Sequence, residues 1–443
     1  MTGSTSQFVS GTKREIEFVP GATGLMVIIR ITLACLLVSL VVEGILPQAE
    51  MAIFGGRVLI PLWAPTLFVI GMALMLLILR PSLARNKLIL PTVVLAAALA
   101  VCGVNLVLVQ GLTSIEVFHT YGAYYFLILI ITVYAGLNIS IPEGLYTFLL
   151  YFAFLANVII AGAQFATGAA ILPVASNDGA FVVHSSVYTG VGQRAFGFFN
   201  SGLDLGMFAA FMGGLGIVYC KRAGTFIFGI AVVLAAGFVC YATYTRLVFV
   251  EYLCCLVSVL LLSRRSWSRA TIYLPLVWLM VGIGLAIQAL TSNRTFNNIA
   301  STDSMNTRLL GWLFCVEQFV SSDFVQRTLG LGMVPKISGR GSVLPTRIAL
   351  FPIDNIALIV LIYLGVVGLI AVSYYLFMSW RLLHRAAMER ESKLTLAIAG
   401  FFSTVLLTSI YNFTLVILTT LLLIAVTVED VAAQPPELDT LPG

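Results

Sequence analysis

Three arginines and one aspartate, Arg194, Arg246, Arg308 and Asp354, are the residues of this sequence whose types best fit a chemical role. A guanidinium group binds phosphate oxygens through a planar fork of N–H donors and stays charged. Such groups stabilise the charge that develops as a sugar–phosphate bond breaks, and a carboxylate can take the proton of an acceptor hydroxyl. If these side chains meet on one side of the protein, they predict glycosyl transfer from a lipid pyrophosphate.

Arg194 lies in a segment rich in glycine and phenylalanine, Gly192–Gly206, at the start of an apolar run. Asn200 and Asp204 are four residues apart, so a helix would place them on one face. A membrane-edge arginine that pairs with lipid headgroups is the structural alternative. The composition around Arg194 favours a substrate site, with Asn200 and Asp204 as candidates for binding pyrophosphate or glycan.

Arg246 lies in a very short turn between two apolar runs, so it cannot move far from them. We expect it to bind the same ligand as Arg194. Glu251 follows about one and a half turns into the next run, where an unpaired carboxylate would be costly. Protonation of Glu251, or its pairing with a neighbouring helix, is the structural explanation of that position.

The elements that position these residues are predicted to be membrane helices. Of 443 residues, 60% are hydrophobic and only 10% are charged, whereas soluble proteins carry about 25% charged residues. Apolar runs of ~20 residues cross a bilayer as helices, which satisfy their own backbone hydrogen bonds. The sequence predicts an all-α, polytopic helix bundle, a single integral-membrane domain over residues 1–443 with about 12 transmembrane helices. The spans are expected near 25–46, 58–79, 88–109, 121–138, 144–166, 202–220, 225–243, 247–262, 271–290, 353–379, 394–410 and 412–428.

The charges between the spans predict the orientation of the bundle. Lysine and arginine are concentrated in short loops, notably 221–222, 264–269 and 381–393. The positive-inside rule places these loops, and with them both termini, in the cytoplasm. Residues 167–201 and 291–352 are then loops on the outer side of a multi-pass membrane protein.

The long outer loop, 291–352, is expected to carry a short amphipathic helix that Ser304 can cap. Its apolar residues recur at helical spacing. They are Leu309, Leu310, Trp312, Leu313, Val316, Phe319 and Val320. Arg308 and Glu317 lie off this stripe, so the helix would lie on the outer surface or pack on the bundle.

The end of the long loop holds further candidates for the site. Arg340, between Gly339 and Gly341, is a candidate for binding pyrophosphate or glycan, because glycines allow a ligand to approach closely. Asp354 is the candidate general base, and Asn355 a candidate for binding the substrate. Asp354 could also act as a helix N-cap, a common use of aspartate that is compatible with catalysis.

No pattern in the sequence predicts a metal or a cofactor. The seven cysteines and three histidines do not recur at metal-ligand spacing. No basic stripe interleaved with polar residues is present, so nucleic acid is not an expected partner.

Short motifs follow one another between Gly192 and Gly368. They are Arg194-Ala195-Phe196-Gly197-Phe198-Phe199-Asn200, Thr245-Arg246, Arg308-Leu309 with Trp312, Leu329-Gly330-Leu331-Gly332, Asp354-Asn355-Ile356-Ala357-Leu358 and Leu364-Gly365-Val366-Val367-Gly368-Leu369. In their order and spacing they resemble the O-antigen ligase/polymerase superfamily, which includes the Wzy-type polysaccharide polymerases. The first half of the chain is similar only as hydrophobic spans.

The resemblance implies a metal-independent glycosyltransferase of the bacterial inner membrane, with 167–201 and 291–352 as periplasmic loops. It would act at the periplasmic face on an undecaprenyl-diphosphate-linked oligosaccharide, within membrane lipid. It suggests a chain-length regulator and a flippase as protein partners. Ligases of the superfamily typically carry histidine before the asparagine at the end of the long loop, where this chain has Asp354. That departure favours a polysaccharide polymerase (O-antigen, exopolysaccharide or capsule) over a ligase. It also leaves Glu317 or Asp204 as alternative bases.

Two other functions stay open from the sequence. A ligase would move a finished glycan onto another acceptor. A transporter, such as a lipid-linked oligosaccharide flippase, also fits about 12 spans, but transporters commonly have two related halves. Here the charges and long loops are concentrated in the second half and on one side, which favours an enzyme.

Overall fold

The structure is a computed structural model, and it describes the second half of the chain most fully. The described residues are 30–31, 34, 94–95, 97–98, 100–102, 104–105, 141–168, 174–175, 181–182, 194–199, 202–221, 223–267, 269–291, 312–313, 315–330, 356–389, 392–408, 421–422, 424–425 and 428. They are mostly helical. In the 167–201 segment, β1 (Val174–Ala175) pairs antiparallel with β2 (Phe181–Val182).

Eight helices have defined bounds. They are α1 (Glu143–Thr167), α2 (Gly202–Tyr219), α3 (Phe226–Ala242), α4 (Arg246–Leu262), α5 (Leu274–Thr291), α6 (Phe324–Leu329), α7 (Ile356–Glu389) and α8 (Lys393–Thr408). Single 3-10 turns at Ala223–Thr225, Arg265–Trp267 and Thr271–Tyr273 connect some of them. Residues 312–313 and 315–321 are also helical, and we call them the 312–321 helix.

Four of these segments are long and apolar enough to cross a membrane, Glu143–Thr167, Gly202–Tyr219, Ala223–Ala242 and Leu364–Glu389. The described part of the chain is therefore helical and includes apolar segments of membrane-spanning length, as predicted. Helix α7 differs most from its predicted span, 353–379, because it begins at Ile356, ends at Glu389 and is interrupted at Gly365.

Several sequence predictions fall outside the described residues. The spans 58–79 and 121–138 are outside entirely, and 25–46, 88–109 and 412–428 are described only in part. The count of about 12 spans and the periplasmic placement of the two long loops therefore stay predictions. In the long loop, the expected helix is present at 312–321, while Ser304 is not among the described residues.

Helix α2 lies at the centre of the described bundle, and its glycines allow neighbouring helices to approach closely. A Cβ atom at Gly213 would overlap the Tyr252 ring of α4, and one at Gly216 would lie 3.0 Å from the carbonyl oxygen of Gly229 on α3. Small residues are enriched where membrane helices pack, because apolar side chains gain little by leaving lipid for another helix. Close packing around α2 therefore fixes the helix ends on which the candidate site depends.

One end of the bundle collects the beginnings of α1, α3 and α8 and the end of α2. The Thr225 hydroxyl donates to the Tyr219 carbonyl at 2.8 Å, and the Leu394 amide donates to the Glu143 carboxylate at 2.9 Å. The Lys393 ammonium lies 4.2 Å from the centre of the Tyr219 ring. We call this the basic end. The opposite end holds Arg194 and Arg246, and we call it the arginine end.

Helix α7 is broken where the long loop touches it. Gly365 has φ 65° and ψ −166°, a conformation that is essentially restricted to glycine. A Cβ at Gly365 would overlap the backbone of Thr328 and lie 2.6 Å from the amide nitrogen of Gly330. The Asn105 side-chain amide donates to the Gly330 carbonyl at 3.4 Å. The end of α6 therefore packs against the break itself.

Candidate functional site

The segment after Arg194 is held by two buried amide side chains of α1. The backbone N–H groups of Phe196 and Gly197 both donate to the Gln164 Oε1, at 3.0 and 2.9 Å. The N–H of Phe198 donates to the Asn157 Oδ1 at 2.9 Å. Asn157 and Gln164 are completely buried. They satisfy backbone donors that the irregular segment cannot pair within itself.

This segment reaches well below the end of α1. Asn157 precedes the last residue of α1, Thr167, by ten residues, which corresponds to ~15 Å along a helix. Irregular backbone at that depth of a membrane bundle is tolerated only where protein groups or a water-filled cavity satisfy it. The amides of Asn157 and Gln164 meet this requirement, so they determine where Arg194, which is half-buried, emerges.

Asn157 and Gln164 are the functional residues that sequence reasoning missed. The signal for them is weak but present, because two amides seven residues apart lie on one face of a helix inside an apolar run. Polar residues within membrane helices are rare and usually serve a function. The segment whose backbone they bind could not be identified from the sequence, because that depends on which elements are neighbours in the fold.

The two arginine-bearing segments lie side by side at the arginine end. The Ala195 N–H donates to the Ala242 carbonyl at 3.0 Å, so the residue after Arg194 is bonded to the last residue of α3. Arg246, four residues further along the chain, is the first residue of α4, rather than part of the turn as predicted. The backbones of Arg194 and Arg246 are therefore neighbours, as the prediction of a shared ligand requires.

Asp204 joins the same cluster of helix ends. It lies in the first turn of α2, where a carboxylate is favoured by the positive end of the helix dipole. Helix α2 begins at Gly202, beside Ala195 and Thr243, and a Cβ at Gly202 would lie 2.9 Å from the Ala195 carbonyl oxygen. Asp204 is half-buried and, like Arg194, interacts with other groups. Three described segments that meet at the arginine end thus carry Arg194, Arg246 and Asp204.

Glu251 lies inside the bundle, below the arginine end. It is completely buried on α4, five residues after Arg246, and the Thr404 hydroxyl of α8 donates to its Oε1 at 3.4 Å. Within the described part of the chain its other oxygen, Oε2, makes no hydrogen bond. The neighbouring helix therefore supplies Glu251 with a hydroxyl, which agrees with the structural explanation drawn from the sequence.

We expect Glu251→Gln to leave thermal stability unchanged or to raise it, because the amide oxygen keeps the Thr404 contact and no ionisable group stays buried. Thr404→Val should destabilise the protein by ~1–3 kcal/mol, because it leaves a buried carboxyl without its donor. Thermal unfolding of both variants in detergent provides the measurement. A large loss of stability in Glu251→Gln would show instead that the charged carboxylate is required.

Most of the remaining candidate residues lie outside the part of the chain that the structure describes. Asn200, Arg308, Arg340, Asp354 and Asn355 lie outside the described residues, as does the side chain of Arg246. Glu317, the alternative base in the long loop, is exposed on the 312–321 helix. Among the described residues, no group of three or more His, Cys, Asp or Glu side chains could hold a metal ion.

Comparison with known proteins returns no relative. No family model matches the chain, and no curated protein matches it. The functional interpretation therefore depends on the residues, the motifs and the geometry of the arginine end.

Proposed function

We propose that the protein is a polysaccharide polymerase, a metal-independent glycosyltransferase that uses an undecaprenyl-diphosphate-linked glycan as donor. It would transfer the growing chain to the non-reducing-end hydroxyl of a new lipid-linked repeat unit at the periplasmic face. In this proposal the bundle has about 12 spans, with both termini cytoplasmic and the 167–201 and 291–352 loops periplasmic. The arginine end is the periplasmic end.

The reaction breaks the bond between the anomeric carbon of the donor sugar and its phosphate oxygen, and forms a new bond from that carbon to the acceptor oxygen. Asp354 takes the proton of the acceptor hydroxyl, and undecaprenyl diphosphate leaves with the electron pair. Arg194 and Arg246 bind the diphosphate as its charge develops. Arg308, Arg340, Asn200, Asn355 and Asp204 are the further contacts proposed for pyrophosphate or glycan.

The observation that carries this proposal is the hydrogen bond between Ala195 and Ala242, because it joins the segments that bear Arg194 and Arg246. Two arginines carried on segments that are joined in this way suit a diphosphate better than a single anionic headgroup.

The opposite end supports the orientation. There, burial and the nearby Arg264 guanidinium lower the pKa of Lys221 from its ordinary value, so cations are crowded together. A crowded basic end is typical of the cytoplasmic side.

Replacement of Arg194 or Arg246 by lysine tests the proposal. Lysine keeps the charge and loses the bidentate fork, so each variant should slow polymerisation by ~100-fold or more, as loss of one transition-state donor typically does. Arg385→Lys is the matched control. Arg385 is exposed near the C-terminal end of α7, away from the arginine end, and its Nε lies 2.6 Å from Oε1 of Glu389.

The readout is the size distribution and membrane side of lipid-linked glycans in cells that carry each variant as their only copy. The proposal expects single repeats to accumulate on the outer face in the Arg194 and Arg246 variants, with protein levels and the Arg385 control unchanged. Normal long chains that stay on undecaprenyl would indicate a ligase. Full-length chains delivered normally in both variants would exclude the proposed roles of the two arginines.

A transporter is the second candidate, and the break in α7 at Gly365 favours it. Interrupted helices at membrane depth are a common feature of transporters, whose binding sites use the exposed backbone. A lipid-linked oligosaccharide flippase would leave single repeats on the inner face when Arg194 or Arg246 is replaced. The same experiment therefore distinguishes the two functions.

A further inference from the structure

The helix at 312–321 presents three different kinds of surface. Cys315 is buried and faces the protein. Leu313, Val316 and Val320, at intervals of three and four residues, share one exposed face. Glu317 and Ser321 are exposed on the adjoining face. Three residues of the apolar stripe predicted from the sequence, Leu313, Val316 and Val320, therefore lie on a face that the other described residues leave exposed.

The exposed apolar face continues into the next helix. Leu313 is 66% exposed, Val320 65% and Phe324, the first residue of α6, 78%. We call Leu313, Val316, Val320 and Phe324 the apolar ridge. For comparison, Phe152 on the candidate span α1 is 67% exposed. The ridge thus leaves as much apolar side chain uncovered as the outside of a membrane-spanning helix does.

The ridge is fixed at the end of a candidate span. Helix α6 packs on α7, and the backbone at Thr328 and Gly330 contacts Gly365, next to the first residue of the candidate span Leu364–Glu389. Since α6 has six residues, it is ~9 Å long, so Phe324 lies close to that span. Ile370 on α7 is 64% exposed, so the candidate span that the ridge adjoins also has an uncovered apolar side chain.

We propose that the apolar ridge inserts into the bilayer and contacts phospholipid acyl chains, with Glu317 and Ser321 at the water boundary. A helix that has an apolar and a polar exposed side, and that is joined to a membrane span, is stable at the interface because acyl chains cover one side and water the other. Bilayer lipid is favoured over a second copy of the chain because the ridge adjoins an apolar span that itself requires lipid. This proposal does not depend on the proposed polymerase activity.

Photo-crosslinking in lipid nanodiscs tests the ridge. A benzophenone amino acid replaces Leu313, Val320 or Ser321 in the full-length protein, which is purified and placed in discs of phosphatidylethanolamine and phosphatidylglycerol. Phe152 is the lipid-facing control. Mass spectrometry of the irradiated protein should find phospholipid adducts at positions 313, 320 and 152, and at least about tenfold fewer at 321, since acyl C–H bonds would surround only the first three.

Two results would overturn the proposal. Adducts at 152 but not at 313 or 320 would show that water covers the ridge, and crosslinks from 313 or 320 to a second protein molecule would show that a copy of the chain covers it.

A second measurement does not depend on the benzophenone. Tryptophan fluorescence should be quenched more by brominated acyl chains in Val320→Trp than in Ser321→Trp, and equal quenching would also contradict the proposal.

Discussion

Replacement of Gln164 by methionine is expected to release the segment that carries Arg194. The substitution keeps a side chain of similar length but removes the oxygen that accepts from the Phe196 and Gly197 amides at 3.0 and 2.9 Å. Leaving a buried N–H without a partner costs ~1–3 kcal/mol, so two such groups cost ~2–6 kcal/mol. The segment would then open more easily, and a mobile Arg194 could not bind a diphosphate in a fixed geometry.

Hydrogen exchange of the Phe196 and Gly197 amides measures directly how readily this segment opens. The amides of Phe196 and Gly197 should exchange at least about 30-fold faster in Gln164→Met, because 1.4 kcal/mol corresponds to a factor of ten. Thr167→Val is the matched control on the same helix, since its exposed hydroxyl donates to Ala163 of α1 at 2.8 Å and the Phe196 and Gly197 amides pair with Gln164 instead. It should leave the exchange of both amides unchanged. Unaltered exchange in Gln164→Met would show that the two hydrogen bonds do not hold the segment.

The helices of the described region could be predicted from the sequence because apolar length alone defines them. Helices α1 to α4 begin and end within about two residues of the predicted spans. Their limits are sharp because polar or charged residues, such as Glu143, Lys221 and Arg246, interrupt otherwise continuous apolar runs. Such charges are costly inside a bilayer, so they mark the helix ends.

The sequence predicts a shared ligand for Arg194 and Arg246 only because both lie on one side of the predicted bundle. Alternation of spans places two segments on one side, but it does not say which helices are neighbours. That information comes from packing around α2, and it appears in the structure as the Ala195–Ala242 hydrogen bond. The contacts of Asn157 and Gln164 were missed for the same reason, because an amide in an apolar helix can pair with any nearby backbone.

The break in α7 could not be predicted, since a glycine inside an apolar run is compatible with a continuous helix at a cost of only ~1 kcal/mol. The partner of Gly365 lies at Thr328 to Gly330, within the loop and far away in sequence. Nothing in the spacing of the two segments connects them. The sequence reasoning therefore treated Gly365 as part of an ordinary span, and the structure corrects this.

Gly365→Ala is expected to be among the most damaging single substitutions in the described region. The backbone conformation at φ 65° and ψ −166° costs a non-glycine residue ~1–3 kcal/mol. The added Cβ would also overlap the Thr328 backbone and lie 2.6 Å from the Gly330 nitrogen. Neither obstacle is a flexible side chain, so the end of α6 would have to separate from α7. Together the two effects should destabilise the protein by ~3 kcal/mol or more.

Gly284→Ala provides the comparison that makes this test specific. Gly284 lies inside the apolar helix α5, and a Cβ there meets no atom within 4 Å. Alanine should be neutral or stabilise the helix by up to ~1 kcal/mol, so only Gly365→Ala should lower the apparent unfolding temperature in detergent. If Gly365→Ala unfolds at the temperature of the Gly284 variant, α7 tolerates a side chain at the break. The packing of α6 against Gly365 would then be wrong. The same contact holds the apolar ridge at the end of the candidate span. Without it, the inferred lipid contact would lose its structural basis as well.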